Sequence, residues 1–180
     1  YHQIAHFMEP MPADLCIRIG QCYQKLENSS EARRWAAAVV ETTDDLTSWQ
    51  KALRLITHCA KRDAQSKRQI RVALLGSFTT AQLGWMVKLA CLRWGIDVDL
   101  YEGPFAQYRQ EIINPQSALY EFSPDVVILA VHDGELGLSD YSTSPNEDVE
   151  RESSRWTELW QILTARCPAR IVQFNFVLCI

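Results

Sequence analysis

The chain has 180 residues, enough for one solid core or for a domain with a helical appendage. Its 47% apolar and 22% charged residues are ordinary for a soluble globular protein. The net charge of −4 argues against a non-specific nucleic-acid surface, which needs clustered Lys and Arg; the densest basic run, Lys61-Arg62 with Lys67-Arg68 and Arg71, reads as a solvated linker.

The first third reads as helix throughout. "PADLCIRIGQCYQKL" places Leu15, Ile19, Cys22 and Leu26 on one face at i, i+4, i+7 and i+11. "SSEARRWAAAVVE" opens on a Ser cap and a Glu, and "DDLTSWQKALRLITHCAKR" repeats the stripe with Leu46, Trp49, Leu53 and Ile56. No period is sustained over three units, so these helices read as a lead-in packed on the following domain rather than as a repeat array.

From Ile70 the pattern changes. "IRVALLG" is a short, almost wholly apolar strand of the kind buried on both faces of a parallel sheet. Thr79 or Thr80 can cap a helix that carries Leu83, Met86, Val87 and Ala90 on its inner face. "GIDVDLYEG" is a second strand, with Ile96, Val98 and Leu100 pointing one way. "NPQSALYEF" predicts a helix capped by Asn114 with Pro115 at its first position. "PDVVILAVHDGEL" is a third strand, "SDYSTSPNEDVERESS" a surface loop, "SSRWTELWQILTARC" an amphipathic helix and "ARIVQFNFVL" a fourth strand. Alternating strands and helices imply an α/β fold with a parallel, doubly wound sheet, whose ligands bind beyond the carboxyl ends of the strands. Those ends are Gly76-Ser77-Phe78-Thr79, Glu102-Gly103-Pro104, His132-Asp133-Gly134 and Gln173-Phe174-Asn175.

No apolar run approaches the roughly 18 residues that span a bilayer, and no basic-then-apolar leader opens the chain. Cys16, Cys22, Cys59, Cys91, Cys167 and Cys179 form no CxxC pair, and Cys91 and Cys179 sit in apolar runs. They read as reduced, partly buried thiols of a cytoplasmic protein rather than as a disulfide framework or a zinc site. The chain opens without Met and closes inside the apolar "RIVQFNFVLCI", as a piece of something longer would.

Two readings of the Gly76-Ser77 corner stand side by side. Ser77 is a nucleophile if a base lies within hydrogen-bond reach and backbone N–H groups form an oxyanion hole. Otherwise Gly76 and Ser77 shape a tight turn and the threonines cap a helix. Of His2, His6, His58 and His132, only His132 lies in the α/β part, so a Ser–His pair within this chain means Ser77 with His132. His132 beside Asp133 fits a functional strand end equally with a turn histidine bonding to backbone, since Asp133-Gly134 is also a common turn pair. "DVDLY" is not an aspartyl-nucleophile motif, because Asp97 and Asp99 alternate within a strand. "GSFTT" lacks the second Gly and the Lys of a phosphate loop.

"VALLGSFTTAQL", "YEGPFAQYRQEIINPQSALYEFSPDVVILAVHDGEL" and "RIVQFNF" resemble the N-terminal, SGNH-hydrolase-like region of the FkbH-like family. The run "PFAQYRQEIINPQSALYEFSPDVVIL" is the most specific, and the likeness covers roughly Ile70 to Phe176. It implies a three-layer SGNH- or flavodoxin-like parallel sheet over 70–180 behind a helical extension over 1–69. Members of that family prime polyketide pathways. They deliver the glyceryl group of 1,3-bisphosphoglycerate, dephosphorylated, as a thioester on an acyl carrier protein. Their phosphatase half is a C-terminal haloacid-dehalogenase-like domain with its own DxD motif, which this chain lacks. The resemblance thus implies a sheet that continues past Ile180 and no cofactor in this chain, with Mg expected only in that other domain.

SGNH hydrolases carry a GDS block with the nucleophile, a second-block Gly, a GxND block and a late DxxH. Aligned on the glycine, Ser77 stands at the Asp position and Phe78 at the nucleophile's. Gly103 matches the second block; Ala130-Val131-His132-Asp133 replaces the third, and no DxxH follows. The resemblance thus implies part of a cytoplasmic glyceryl-loading transferase. Its expected partners are an acyl carrier protein and a small phosphorylated three-carbon substrate, with no nucleic acid and no membrane. Ser77, His132 and Asp133 are the candidate catalytic residues; Gly76, Thr79, Gly103 and Asn175 are the candidate substrate-binding ones. Two further readings remain: an SGNH-type esterase or acyltransferase using Ser77, and a non-catalytic docking module for the carrier protein.

Overall fold

Helices come first among the residues described in the computed structural model, which are 11–59, 68–139 and 141–176. His2, His6, Lys61, Arg62, Lys67 and Cys179 lie outside the described residues. By their contacts the residues form two units, one holding those up to Gln69 together with Trp85–Val98 and the other holding the rest.

In the helical unit, α1 (Ala13–Lys25), α2 (Ser29–Thr42) and α3 (Leu46–Cys59) pack around Cys16, Ile17, Ala36, Val39, Ala52 and Leu55. The face that α1 buries is Cys16, Ile17 and Gly20, not the predicted stripe: Leu15 is 45% and Leu26 74% exposed. Small residues decide this. A Cβ at Gly20 would stand 2.8 Å from Leu55 Cδ1, and α2 presents the fully buried Ala32 and Ala36. Helices approach closely where neither side has bulk, and close contact outweighs the larger side chains turned outward. The cap of α2 is Asn28 rather than a serine; its Oδ1 accepts from Glu31 N–H at 3.2 Å and from Ser30 Oγ at 3.0 Å. In α3, Ser48, Ala52 and Leu55 are buried and Leu46 is exposed, with Trp49, Leu53 and Ile56 half-buried. The Asp45 carboxylate accepts from Ser48 N–H at 2.8 Å and Ser48 Oγ at 2.7 Å, and these bonds hold its carboxyl below the usual range.

The second unit is built on a four-stranded sheet, β1 (Gln69–Gly76), β2 (Asp97–Glu102), β3 (Val126–Ala130) and β4 (Arg170–Gln173), in the order β2-β1-β3-β4. This is the parallel order of flavodoxin-like doubly wound folds. β1 runs parallel to β3 from Val72↔Val126 to Gly76↔Ala130, and β3 runs parallel to β4. Val72, Ala73, Leu74 and Leu75 are all buried, so both faces of β1 are covered, as its unbroken apolar run predicts.

One face of the sheet (Ala73, Leu75, Val127, Leu129, Val131) packs on α5 (Tyr108–Ile113), α6 (Ala118–Phe122) and α7 (Pro145–Arg166). Trp156 of α7 stacks on Tyr108 at 6.0 Å and meets Phe176 at 5.2 Å. α4 (Ala81–Arg93) follows β1; its buried positions are Gly84 and Leu89, while Leu83, Met86 and Val87 are half-buried and Ala90 is exposed.

Two helix starts differ from expectation. Asn114 ends α5 instead of opening a helix, and its Oδ1 accepts from Gln116 N–H at 3.0 Å, an Asx turn that carries Pro115 to the N-cap Ser117 of α6. α7 starts at Pro145, inside the segment read as loop. Pro at the first position, with Glu147 and Asp148 in the first turn, suits a helix N-terminus whose first two turns face solvent.

Tyr108 ties α5 to the loop after β3 by donating to the Glu135 carboxylate at 3.3 Å. Burial first, and Glu135 next, push this phenol up to about 12. The folded state therefore holds the proton while an unfolded chain releases it near pH 10. Stability from this group is complete below pH 10 and is lost as pH rises from there to about 12. Urea midpoints measured from pH 8 to 11 should fall over the upper part of that range, and less steeply in Tyr108→Phe; equal slopes would refute the assignment.

Candidate functional site

In the order β2-β1-β3-β4 the chain leaves β1 for one side of the sheet and returns with β3 on the other, so the switch point lies between β1 and β3. Their carboxyl ends carry Ser77 and His132. Ser77 is only 6% exposed. Its N–H donates to Ala130 C=O at 3.2 Å, and its hydroxyl accepts from the main-chain N–H of His132 at 3.1 Å. The serine thus ties the end of β1 to the end of β3 through backbone atoms.

The imidazole of His132 is engaged with the following turn rather than with the Ser77 hydroxyl. Its Nδ1 accepts from Gly134 N–H at 2.9 Å, capping the single 3-10 turn Asp133–Glu135. A neutral ring that accepts at Nδ1 carries its proton on Nε2, which makes the second nitrogen of this half-exposed ring a hydrogen-bond donor. A general base for Ser77 would need a bare ring nitrogen facing the hydroxyl. Here the two residues meet through serine oxygen and main-chain N–H. Asp133 Oδ1 shares the Gly134 N–H at 3.1 Å and lies 3.9 Å from His132 Nδ1.

Gly76 and Gly103 serve close approach. A Cβ on Gly76 would stand 2.5 Å from Thr80 Cγ2 and 3.0 Å from Ala130 O, and one on Gly103 2.5 Å from Leu75 Cδ2. Gly103 N–H donates to Leu74 C=O at 2.9 Å, carrying the β1–β2 pairing to the edge. Thr79 and Asn175 are exposed on that same edge. The structure therefore brings Ser77, His132, Asp133 and Gly76 into one hydrogen-bonded corner, with Gly103 one strand away and Thr79 and Asn175 at the rim.

Sequence reasoning named no aromatic residue of this edge as a binding residue. Phe78 after β1, Phe105 after β2 and Phe174 after β4 are all exposed, Phe105 by 67%. Phe105 precedes Ala106, whose φ of 54° lies in the left-handed region unusual for a residue with a Cβ. Their signal was positional, an aromatic one to three residues past a strand end. Also overlooked was a brace on the turn that holds His132: Arg155 donates to Glu135 C=O at 2.7 Å and pairs with the buried Glu152.

The family model of the FkbH N-terminal domain matches residues 71–179. The chain belongs to the FkbH family. The match to the FkbH N-terminal domain runs from Arg71 within β1 past the end of β4 and takes in the whole corner. A crystal structure of the N-terminal part of the protein BF1531 from Bacteroides fragilis, described as containing a phosphatase domain complexed with Mg, is similar with a TM-score of 0.56. The identity is 22%, over 67% of this chain and 32% of that one, so the likeness is one of fold and this FkbH chain spans about a third of that structure. No curated protein matches the chain. Among the described residues no group of three or more His, Cys, Asp or Glu could hold a metal ion, and no helix is long and apolar enough to cross a membrane.

Proposed function

We propose that this chain is the N-terminal, SGNH-type part of a glyceryl-loading protein. In this reading its corner holds a three-carbon acyl or phosphoryl group, or the pantetheine arm of an acyl carrier protein, during transfer from 1,3-bisphosphoglycerate in polyketide assembly. One observation carries the choice of binding over hydrolysis: Nδ1 of His132 accepts from Gly134, leaving Nε2–H as a donor. A donor suits a carboxylate, a phosphate or a thioester carbonyl. The Ser77 hydroxyl keeps its own proton to donate while its oxygen stays on the His132 N–H. Phe78, Phe105 and Phe174 supply the apolar rim that an acyl or pantetheine chain requires. No step of this reading runs through a metal in this chain. A cytoplasmic setting accords with Cys16, Cys22, Cys91 and Cys167 as free thiols.

Calorimetric titration with 3-phosphoglycerate and with holo-acyl carrier protein tests the proposal. Wild type should bind both. His132→Ala should weaken 3-phosphoglycerate about tenfold, the effect of one lost hydrogen bond to a charged group, and His132→Gln, which keeps a donor, should weaken it less. Failure to bind either ligand overturns the reading. Ser77-dependent cleavage of short aryl esters would overturn it in favour of an esterase.

A further inference from the structure

The stripe Leu15, Ile19, Cys22 and Leu26 has the spacing of a packed helix face, yet it lies on the outside of α1. Leu15 and Leu26 are among the most exposed large apolar residues of the helical unit, Cys22 is exposed and Ile19 half-buried. An amphipathic stripe that the fold leaves unused is an apolar surface in want of a partner. At 100° per residue, Arg18 and Lys25 flank this stripe on one side, and beyond them Gln21 and Gln24 face α3. There a groove of about 290 Å³ is lined by Gln21, Gln24, Lys51, Arg54 and Leu55.

The charges on this face are uneven. Arg18, Lys25 and Arg54 make no ion pair among the described residues, and Lys51 reaches Asp14 only at 4.0 Å. Arg34, Arg33 and Arg93 elsewhere in the helical unit are all paired with carboxylates. Lys51 has the carboxylates of Asp14 and Asp45 near it, so Arg18, Lys25 and Arg54 carry the positive excess of this face in a chain whose net charge is −4. The complementary object is a helix with apolar residues at i, i+4 and i+7 bordered by carboxylates.

We infer that the outer face of α1, with the α1–α3 groove, is the docking surface for an acidic amphipathic helix of the acyl carrier protein. The inference rests on the carrier-protein reading above and gives it a surface. Leu15, Cys22 and Leu26 take the apolar stripe of the carrier helix. Arg18, Lys25 and Arg54 take its carboxylates, steering the encounter and fixing its register. An anionic lipid surface is the poorer match: α1 has 13 residues and two basic side chains beside its stripe, and the chain as a whole is acidic.

Fluorescently labelled holo-acyl carrier protein is titrated with the chain, with Arg18→Glu/Lys25→Glu and with Leu26→Asp. All three sites are exposed, and circular dichroism checks that each variant keeps its helices. Wild type should bind with an affinity that falls as salt rises. The double charge reversal and Leu26→Asp should each weaken it at least tenfold. Reversing two carboxylates of the carrier helix to Lys should restore binding to the double variant. Wild-type binding that survives both α1 changes overturns the docking surface while the carrier reading stands. No wild-type binding overturns both. Sedimentation with phosphatidylserine vesicles that is lost in the same α1 variants, with carrier affinity unaltered, assigns the face to lipid and overturns the inference.

Discussion

Gly76→Ala is expected to destabilise the α/β unit by about 2–3 kcal/mol, the upper range for forcing a methyl into a filled site, and to lower the melting temperature by roughly 5–15 °C. The added Cβ would lie 2.5 Å from Thr80 Cγ2, 3.0 Å from Ala130 O and 3.4 Å from Phe78 O. The threonine methyl could swing aside at modest cost, although Thr80 is buried. The Ala130 carbonyl has no such freedom, because Gly76↔Ala130 closes the parallel β1–β3 register and the same oxygen accepts the Ser77 N–H. Relief must come from separating the ends of β1 and β3, which also separates the Ser77 hydroxyl from His132 N–H. Amide exchange at His132 should therefore accelerate along with the fall in melting temperature.

Gly134→Ala is the control for this argument. Its Cβ would meet only the His132 ring, 2.6 Å from Cε1, and a half-exposed ring can turn away. Stability should change little there while the orientation of the imidazole is lost. Equal destabilisation by the two substitutions would mean that the corner is not held by backbone.

These two glycines show where the sequence was legible and where it was not. The strands could be read because "VALLG" and "VVILA" are short continuous apolar runs rich in β-branched residues and leucine, the pattern of strands in a covered parallel sheet. That Ser77 and His132 share an edge follows from strand polarity alone. Which atoms they present to each other does not. It depends on a three-residue turn in which Gly134 N–H takes Nδ1, and nothing in "HDG" distinguishes that from a ring aimed at the serine.

The face of α1 was misread for a related reason. Periodicity finds the largest apolar stripe, whereas packing chose the stripe with Gly20 and Cys16 because α2 and α3 could approach it closely. Helix α5 escaped notice because its six residues bury only Tyr108 and Ile112. Within the run "PFAQYRQEIINPQSALYEFSPDVVIL", the part from Tyr108 to Phe122 proves to be a brace. Glu111 accepts from Tyr101 Oη at 2.7 Å and from Leu119 N–H at 3.2 Å, Tyr120 donates to Ile112 C=O at 2.6 Å, and Arg166 closes the end of α5 on Ile113 C=O at 2.6 Å. Its polar and aromatic residues set the path of the crossover between β2 and β3. A distinctive sequence therefore marked a distinctive connection, one step removed from the corner that holds Ser77 and His132.

Glu152→Ala is expected to cost about 3 kcal/mol, near the low end for breaking a buried pair because about a quarter of the Arg155 side chain remains exposed. Glu152 Oε1 accepts from Trp156 Nε1 at 2.8 Å and from Arg155 Nη2, and the same Nη2 donates to Glu135 C=O at 2.7 Å. Carboxylate, guanidinium and carbonyl form one chain from α7 to the turn that bears His132. Removing the carboxylate leaves an indole N–H without an acceptor and a cation without its counter-charge. Arg155 Nε already has no partner, so the guanidinium has little to fall back on. Glu152→Gln keeps an oxygen for Trp156 and should cost less, about 1–2 kcal/mol for the lost charge-assisted bond. Arg155→Met removes the cation instead, and the double variant Glu152→Ala/Arg155→Met should be more stable than the sum of the single losses predicts, since neither then strands the other. The decisive measurement is amide exchange at Gly134 and Glu135 in the single variants. If the turn loosens with Glu152→Ala, a residue two helical turns into α7 positions His132 through Arg155; if exchange there stays at the wild-type rate while stability falls, the network holds α7 alone.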